Sequence, residues 1–130
     1  MSFRIKRAYD EAAADDGYRV LIDRLWPRGL RKEALTIDAW AKELAPSTDL
    51  RKWFQHDPDR WDEFRRRYRE ELQEEPARSL LADLKRRGRR GTVTLVFGAR
   101  DATHSNAEAL LEMLREARSG ARSASAGAGG

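Results

Sequence analysis

The stretch VLIDRLWPRG, Val20 to Gly29, decides how the rest of the chain is read. Its first three residues are apolar on both sides of an extended backbone, as in an interior strand. Asp23 and Arg24 follow at once, and charges directly after a buried strand are costly unless they are paired or used. Pro27 cannot extend a ladder and keeps Trp26 extended, so strand two is predicted over Tyr18 to Trp26 with a charged corner beyond it. That corner is either a structural ion pair, with Arg66 of a later helix as the partner of Asp23, or a site.

Working outward, Phe3 to Tyr9 alternates Phe3 and Ile5 with Arg4 and Lys6, a strand with one wet face that suits a sheet edge. Asp10 to Gly17 is too short for a crossover helix, so strands one and two are either antiparallel neighbours or not adjacent. Thr92 to Ala99 is predicted as strand three. Between strands two and three lies a helical block. Its first helix is predicted from Thr36, with Ile37, Trp40, Ala41 and Leu44 at i, i+3, i+4 and i+7, stopped by Pro46. Ser47 caps a short second helix through Leu50, Trp53 and Phe54. Asp57-Pro58-Asp59 opens a third, carrying Trp61, Phe64, Tyr68 and Leu72. A fourth runs from about Pro76 to Gly88. After strand three, Ser105-Asn106-Ala107-Glu108 is a capping box for a fifth helix, ended by Gly120.

This order predicts an α/β layer fold: a small single domain over residues 1–118 with a short, mainly parallel sheet and about five helices. Residues 119–130 are almost all Gly, Ala and Ser and are predicted to be a disordered tail.

Composition narrows the function classes. Lysine and arginine number 26 against 22 acidic residues, a net charge of +4, so most charge is neutralised locally and the pull toward anionic partners is weak. Absence of cysteine excludes a disulfide scaffold, a thiolate nucleophile, an iron–sulfur cluster and a Cys-based zinc site. A mean hydropathy of −0.82 fits a soluble chain. The N-terminus lacks the apolar run of a signal peptide, and no stretch approaches the roughly 20 apolar residues of a membrane span, so a cytoplasmic location is expected.

In open α/β sheets ligands gather beyond the carboxyl ends of the strands. Parallel strands two and three would bring residues 23–32 beside residues 100–106. There, Asp23 is a candidate acid–base residue and His56 a candidate proton carrier. Arg24, Arg28 and Lys32 are candidates to hold phosphate or carboxylate oxygens. Trp26 would wall the pocket, with Arg66 and Tyr68 supporting it from the third helix. His56 and His104 lack ligand spacing, so neither a metal nor a cofactor is expected. No Gly-x-Gly-x-x-Gly, Walker A, Gly-x-Ser-x-Gly or His-Glu-x-x-His pattern occurs.

Trp40, Trp53 and Trp61 fall on apolar stripes and read as core. Arg65-Arg66-Arg67 is flanked by Asp62, Glu63, Glu70 and Glu71, as on a solvated, ion-paired helix face. The run Lys85 to Arg90 ends a helix, where cations suit the dipole. Both disfavour a nucleic-acid partner while leaving it open.

The corner motif with Lys32, Trp40 before Leu44-Ala45-Pro46-Ser47, Leu50-Arg51-Lys52-Trp53-Phe54 and His56-Asp57-Pro58 resembles the YeaO-like group of a large bacterial family of domains of unknown function. Trp61, Glu63-Phe64, Arg67-Tyr68, Glu71-Leu72, Val93-Thr94-Leu95-Val96 and Asn106-Ala107 extend the resemblance over residues 3–116. It implies a small α/β protein and a signature joining the strand-two corner to the His56-Asp57-Pro58 helix start, with no assigned reaction. Relatives outside the group often carry Cys-His-Arg after the last strand. Ala102-Thr103-His104-Ser105 stands there instead, so no thiol mechanism is implied.

Three functions follow as expectations. The first is a pocket around Asp23 to Lys32 for a phosphorylated or carboxylated small molecule or nucleotide, with the question of catalysis open. The second is a non-enzymatic binding or regulatory module for a protein or nucleic acid. The third is a homo-oligomer that buries the corner.

Overall fold

A computed structural model describes residues 2–100 and 103–115. The predicted tail and the stop at Gly120 lie outside them. Four strands, β1 (Ser2–Arg7), β2 (Tyr18–Leu21), β3 (Ala39–Trp40) and β4 (Thr92–Phe97), form one sheet in the order β1-β4-β2-β3. All pairings are parallel. β1 takes the predicted edge, and β2 is interior between β4 and β3. Of the two alternatives for strands one and two, non-adjacency holds, because β4 lies between them. The strand-two segment leaves the ladder earlier than predicted, after Ile22 donates its amide to the Val96 carbonyl.

Four α-helices are present among the described residues, one fewer than the five expected: α1 (Thr48–Phe54), α2 (Trp61–Glu71), α3 (Ala77–Arg90) and α4 over residues 106–115. The missing one is the helix predicted from Thr36 to Leu44. There the chain forms β3 and then a 3-10 turn, Lys42–Leu44. Hydrogen bonding to β2 captures it. Asp38 donates its amide to the Arg19 carbonyl and accepts the Arg19 amide on its carboxylate, and Ala41 donates to Leu21. The helical spacing of its apolar residues has another meaning here. Ile37 and Trp40 pack on one side of the sheet, and Ala41 and Leu44 on the other.

The other starts follow their caps. Ser47 Oγ accepts from the Leu50 amide at 3.1 Å and Ser105 Oγ from the Glu108 amide at 3.1 Å. Asp57 caps a 3-10 turn, Pro58–Arg60, that runs directly into α2.

Strand register sorts the two faces. Phe3 and Val93, and then Ile5, Leu95 and Val20, lie abreast on the face that the helices cover. This larger core takes in Phe54 of α1, Phe64 and Tyr68 of α2, Leu84 of α3, and Leu110 and Leu114 of α4. Leu21 and Val96 point the other way, under a layer of loop that contributes Trp26, Leu30, Leu35 and Ile37.

The loop-covered face also holds the fold's buried ion pair, and it is not the Asp23–Arg66 pair considered from sequence. Arg19 Nη1 lies 2.5 Å from Asp16 Oδ2, both residues being buried, and Lys6 Nζ approaches the same carboxylate at 3.1 Å. Arg19 also donates Nε to the Thr36 carbonyl, and Thr94 Oγ1 donates to the Asp16 carbonyl. Burial alone would raise the Asp16 pKa, but hydrogen bonds from the Ala13 amide, Lys6 and Arg19 outweigh it and hold the carboxyl below its usual value.

Removing one partner of a buried pair strands the other. Asp16→Ala is therefore expected to lose about 3–5 kcal/mol of stability in urea titration at neutral pH. Because the folded pKa is depressed, the Asp16 contribution is fully present above the unfolded carboxylate value of about 3.9. It disappears as pH falls through the lower folded value. The difference between the natural chain and Asp16→Ala is thus expected to shrink on acidification, as stability curves at neutral and acid pH would show.

Candidate functional site

Parallel pairing sets the carboxyl ends of β1, β4 and β2 side by side, and a cavity of about 310 Å³ opens there. Residues just past the strands form its floor: Tyr9 after β1, Asp23 after β2, and Gly98 and Ala99 after β4. Arg51 and Phe54 of α1, His56 and Asn106 at the start of α4 close one side, and Leu25, Trp26, Pro27 and Arg28 the other.

Asp23 is held from three directions. Its Oδ2 accepts the Gly98 amide at 2.8 Å, its Oδ1 accepts Asn106 Nδ2 at 3.1 Å, and its carbonyl accepts Trp40 Nε1 at 2.7 Å. Gly98 leaves space for this: a Cβ there would sit 3.3 Å from Asp23 Oδ2. Burial raises the Asp23 pKa above the usual carboxylate value, while the Gly98 and Asn106 hydrogen bonds and the nearby Arg51 charge oppose the rise without cancelling it.

Three arginines line the cavity with this acid. The Arg24 guanidinium reaches the Ala45 carbonyl only at 3.5 Å. The guanidinium groups of Arg28 and Arg51 make no ion pair with a described residue. The backbone bearing Arg28 is fixed nonetheless. Tyr9 Oη donates to the Arg28 carbonyl at 2.8 Å, Leu30 closes a turn onto the Pro27 carbonyl, and Trp26 Nε1 donates to the Leu30 carbonyl at 2.7 Å. Gly29, at φ 84°, supplies the left-handed residue this turn needs. Across the cavity, Gln55 and His56 both have positive φ, 48° and 55°, which brings the chain sharply round after α1. The His56 ring packs 5.7 Å from that of Phe54.

Of the residues nominated from sequence, Asp23, Arg24, Trp26, Arg28 and His56 line the cavity together. Lys32, Arg66 and Tyr68 lie elsewhere. Lys32 begins an exposed 3-10 turn. Arg66 pairs with Glu63 and Glu70 on the outer face of α2, the helix-periodic partners its flanking acids provide. Tyr68 is fully buried and donates its hydroxyl to the Leu44 carbonyl, and burial pushes its pKa upward. His104 packs edge-on against Trp61 at 5.2 Å. No group of three or more His, Asp or Glu residues suited to a metal comes together among the described residues.

Arg51, Asn106, Gly98 and Tyr9 were not singled out for the site from sequence. Two of them left a signal. A glycine directly after a buried strand marks close approach by another group, and Asn106 sits at the start of a capped helix that follows the strand.

Residues 2–128 match the family model described as the inactive DUF488-N3 subclade. An uncharacterised protein of Mycobacterium tuberculosis strain H37Rv is 43% identical over 111 residues, covering 85% of this chain and 92% of its own. The same identity and coverage hold for an uncharacterised protein of Mycobacterium bovis. The uncharacterised protein YeaO of Escherichia coli K12 is 42% identical over 116 residues, 88% of this chain and 98% of that one. No solved structure gives a significant match.

Three outcomes test the geometry. The Asp23 carboxyl, followed by carbon-detected NMR, is expected to titrate above about 3.9, and higher still in Asn106→Ala, which removes a hydrogen bond to the charged form. A raised folded pKa means that the native state binds this proton more tightly than the unfolded chain. Stability relative to Asp23→Asn is thus expected to fall as pH rises from about 4 through the folded value. Gly29→Ala, forced into positive φ, is expected to cost about 1 kcal/mol in urea titration.

Proposed function

We propose, for a chain that belongs to the inactive DUF488-N3 subclade, that the strand-end cavity is a receptor for a small phosphorylated or carboxylated molecule. One observation carries this reading. Among the described residues, three arginines, Arg24, Arg28 and Arg51, line a cavity whose one lining carboxylate, Asp23, is already engaged by two donors. Guanidinium groups that form no ion pair with a described residue present positive charge to an incoming anion, and their planar fork suits phosphate and carboxylate oxygens. The backbone turns at Gly29 and Gln55-His56 hold Arg28 and His56 in place before any ligand arrives, which lowers the ordering cost of binding.

Binding rather than turnover is the role we assign. The chain has no cysteine, the family model is described as inactive, and Asp23 is tied to the main chain of β4 and to α4. Asp23 then serves as a fixed floor that positions Gly98 and Asn106, and His56 as a donor at the rim. The ligand reaches a cavity at the small end of the usual range for small-molecule sites.

Thermal-shift measurements with inorganic phosphate, sugar phosphates, nucleotides and short carboxylates test the proposal. At a hundred times its Kd, a bound anion stabilises the native state by about 2.7 kcal/mol and raises the melting temperature accordingly. Arg28→Ala is expected to abolish that rise while changing the ligand-free melting temperature little, since the guanidinium forms no ion pair with a described residue. A flat response to every anion overturns the proposal, and so does an undiminished response in an Arg28→Ala, Arg51→Ala double variant.

A further inference from the structure

Among the described residues, two large hydrophobic side chains stand out in solvent: Tyr9, 44% exposed, and Leu25, 65% exposed. Both line the strand-end cavity. Chance placement of isolated apolar side chains on a surface needs no explanation, but two exposed apolar side chains that line the same arginine-bearing cavity offer a ligand an apolar contact surface.

Tyr9 is fixed despite its exposure. The Arg7 guanidinium lies 5.0 Å from its ring centroid, and its hydroxyl donates to the Arg28 carbonyl. Holding an aromatic ring at both ends while leaving it in water removes the entropy a ligand would otherwise lose in ordering it. The same hydrogen bond joins the ring to the backbone of the arginine proposed to hold the anion. The ring and the main chain that carries Arg28 are therefore tied together.

Size agrees with a ligand of two parts. A cavity of about 310 Å³ has room for roughly ten water molecules, well more than an inorganic phosphate fills. We infer that the cavity takes an anion carried on a ring or comparable flat apolar group, an aryl phosphate or aryl carboxylate in chemical class. Its charged end meets Arg28 and Arg51, and its apolar end lies against Tyr9 and Leu25. This selectivity rests on the proposed anion site and goes beyond it, because a bare phosphate would leave the lip unused.

Calorimetric titrations with inorganic phosphate, methyl phosphate, phenyl phosphate and phenol separate the two claims. Phenyl phosphate is expected to bind at least ten-fold more tightly than methyl phosphate, and phenol not measurably. In Leu25→Ser that ratio is expected to fall several-fold while methyl phosphate affinity holds; Tyr9→Ser, which also removes the hydrogen bond to the Arg28 carbonyl, is expected to weaken both phosphates, the phenyl one more. The exposed Leu25 side chain can be changed without unfolding the protein, so this arm reads out even where Tyr9→Ser is destabilised. Equal affinities for phenyl and methyl phosphate overturn the inference and leave the anion site standing, and so does a ratio unchanged in Leu25→Ser. Silence from all the phosphates overturns both.

Discussion

The register of β2 against β4 is the constraint on which the rest of the molecule depends. Leu21 lies opposite Val96, so two residues further along Asp23 comes level with Gly98, and a carboxylate oxygen meets a main-chain amide at 2.8 Å. A slip of β2 by one residue would turn Val20 away from the helices and separate this acid from its donor. The same carboxylate accepts from Asn106, so the end of β2, the end of β4 and the start of α4 meet at one group. Burial penalises the charge, and the hydrogen bonds make it tolerable.

The two faces of the sheet are built differently, and the cavity lies where they meet. Helices cover one face with a continuous apolar core. Loop covers the other, and beside its aromatic residues it buries the Asp16–Arg19 pair. Arg51, Phe54 and His56 reach the cavity from the helical layer, Leu25 to Arg28 from the loop layer. Positive φ at Gln55 and His56 is strain of about 1–3 kcal/mol for each residue. The packing of α1 and α2 sustains it, with Ser47 held to Glu71 by its amide and its hydroxyl.

Much of this was legible in the sequence because it rested on local signals. Apolar runs marked β2 and β4, Ser47 and Ser105 marked helix starts, and charges after a buried strand marked the cavity. What was not legible depended on partners distant in the chain. Ile37, Trp40, Ala41 and Leu44 carry a helical period, yet edge pairing with β2 overrides it and divides them between two faces. Asp16 and Arg19 lie three apart in a segment that reads as loop followed by strand, and only the layer above them makes their pairing buried. Arg66 attracted notice as a partner for Asp23, but neighbours three and four residues away satisfied it first. Arg51 sits on a short helix whose pattern says nothing about where that helix docks. Among the described residues, no helix is long and apolar enough to cross a bilayer.

The borders of the sheet carry a consequence for assembly. An uncovered strand edge offers unpaired amides and carbonyls to another chain, and proteins blunt such edges with charge or brevity. Here one border is β3, only two residues long. The other is β1, where Arg4 and Lys6 point to one side and are drawn toward Asp16, and where Arg115 covers the Phe3 carbonyl. Neither offers a long, flat template for strand addition. Growth of the sheet from molecule to molecule, whether into an ordered dimer or a fibril, is therefore opposed at both ends by features that also serve the fold.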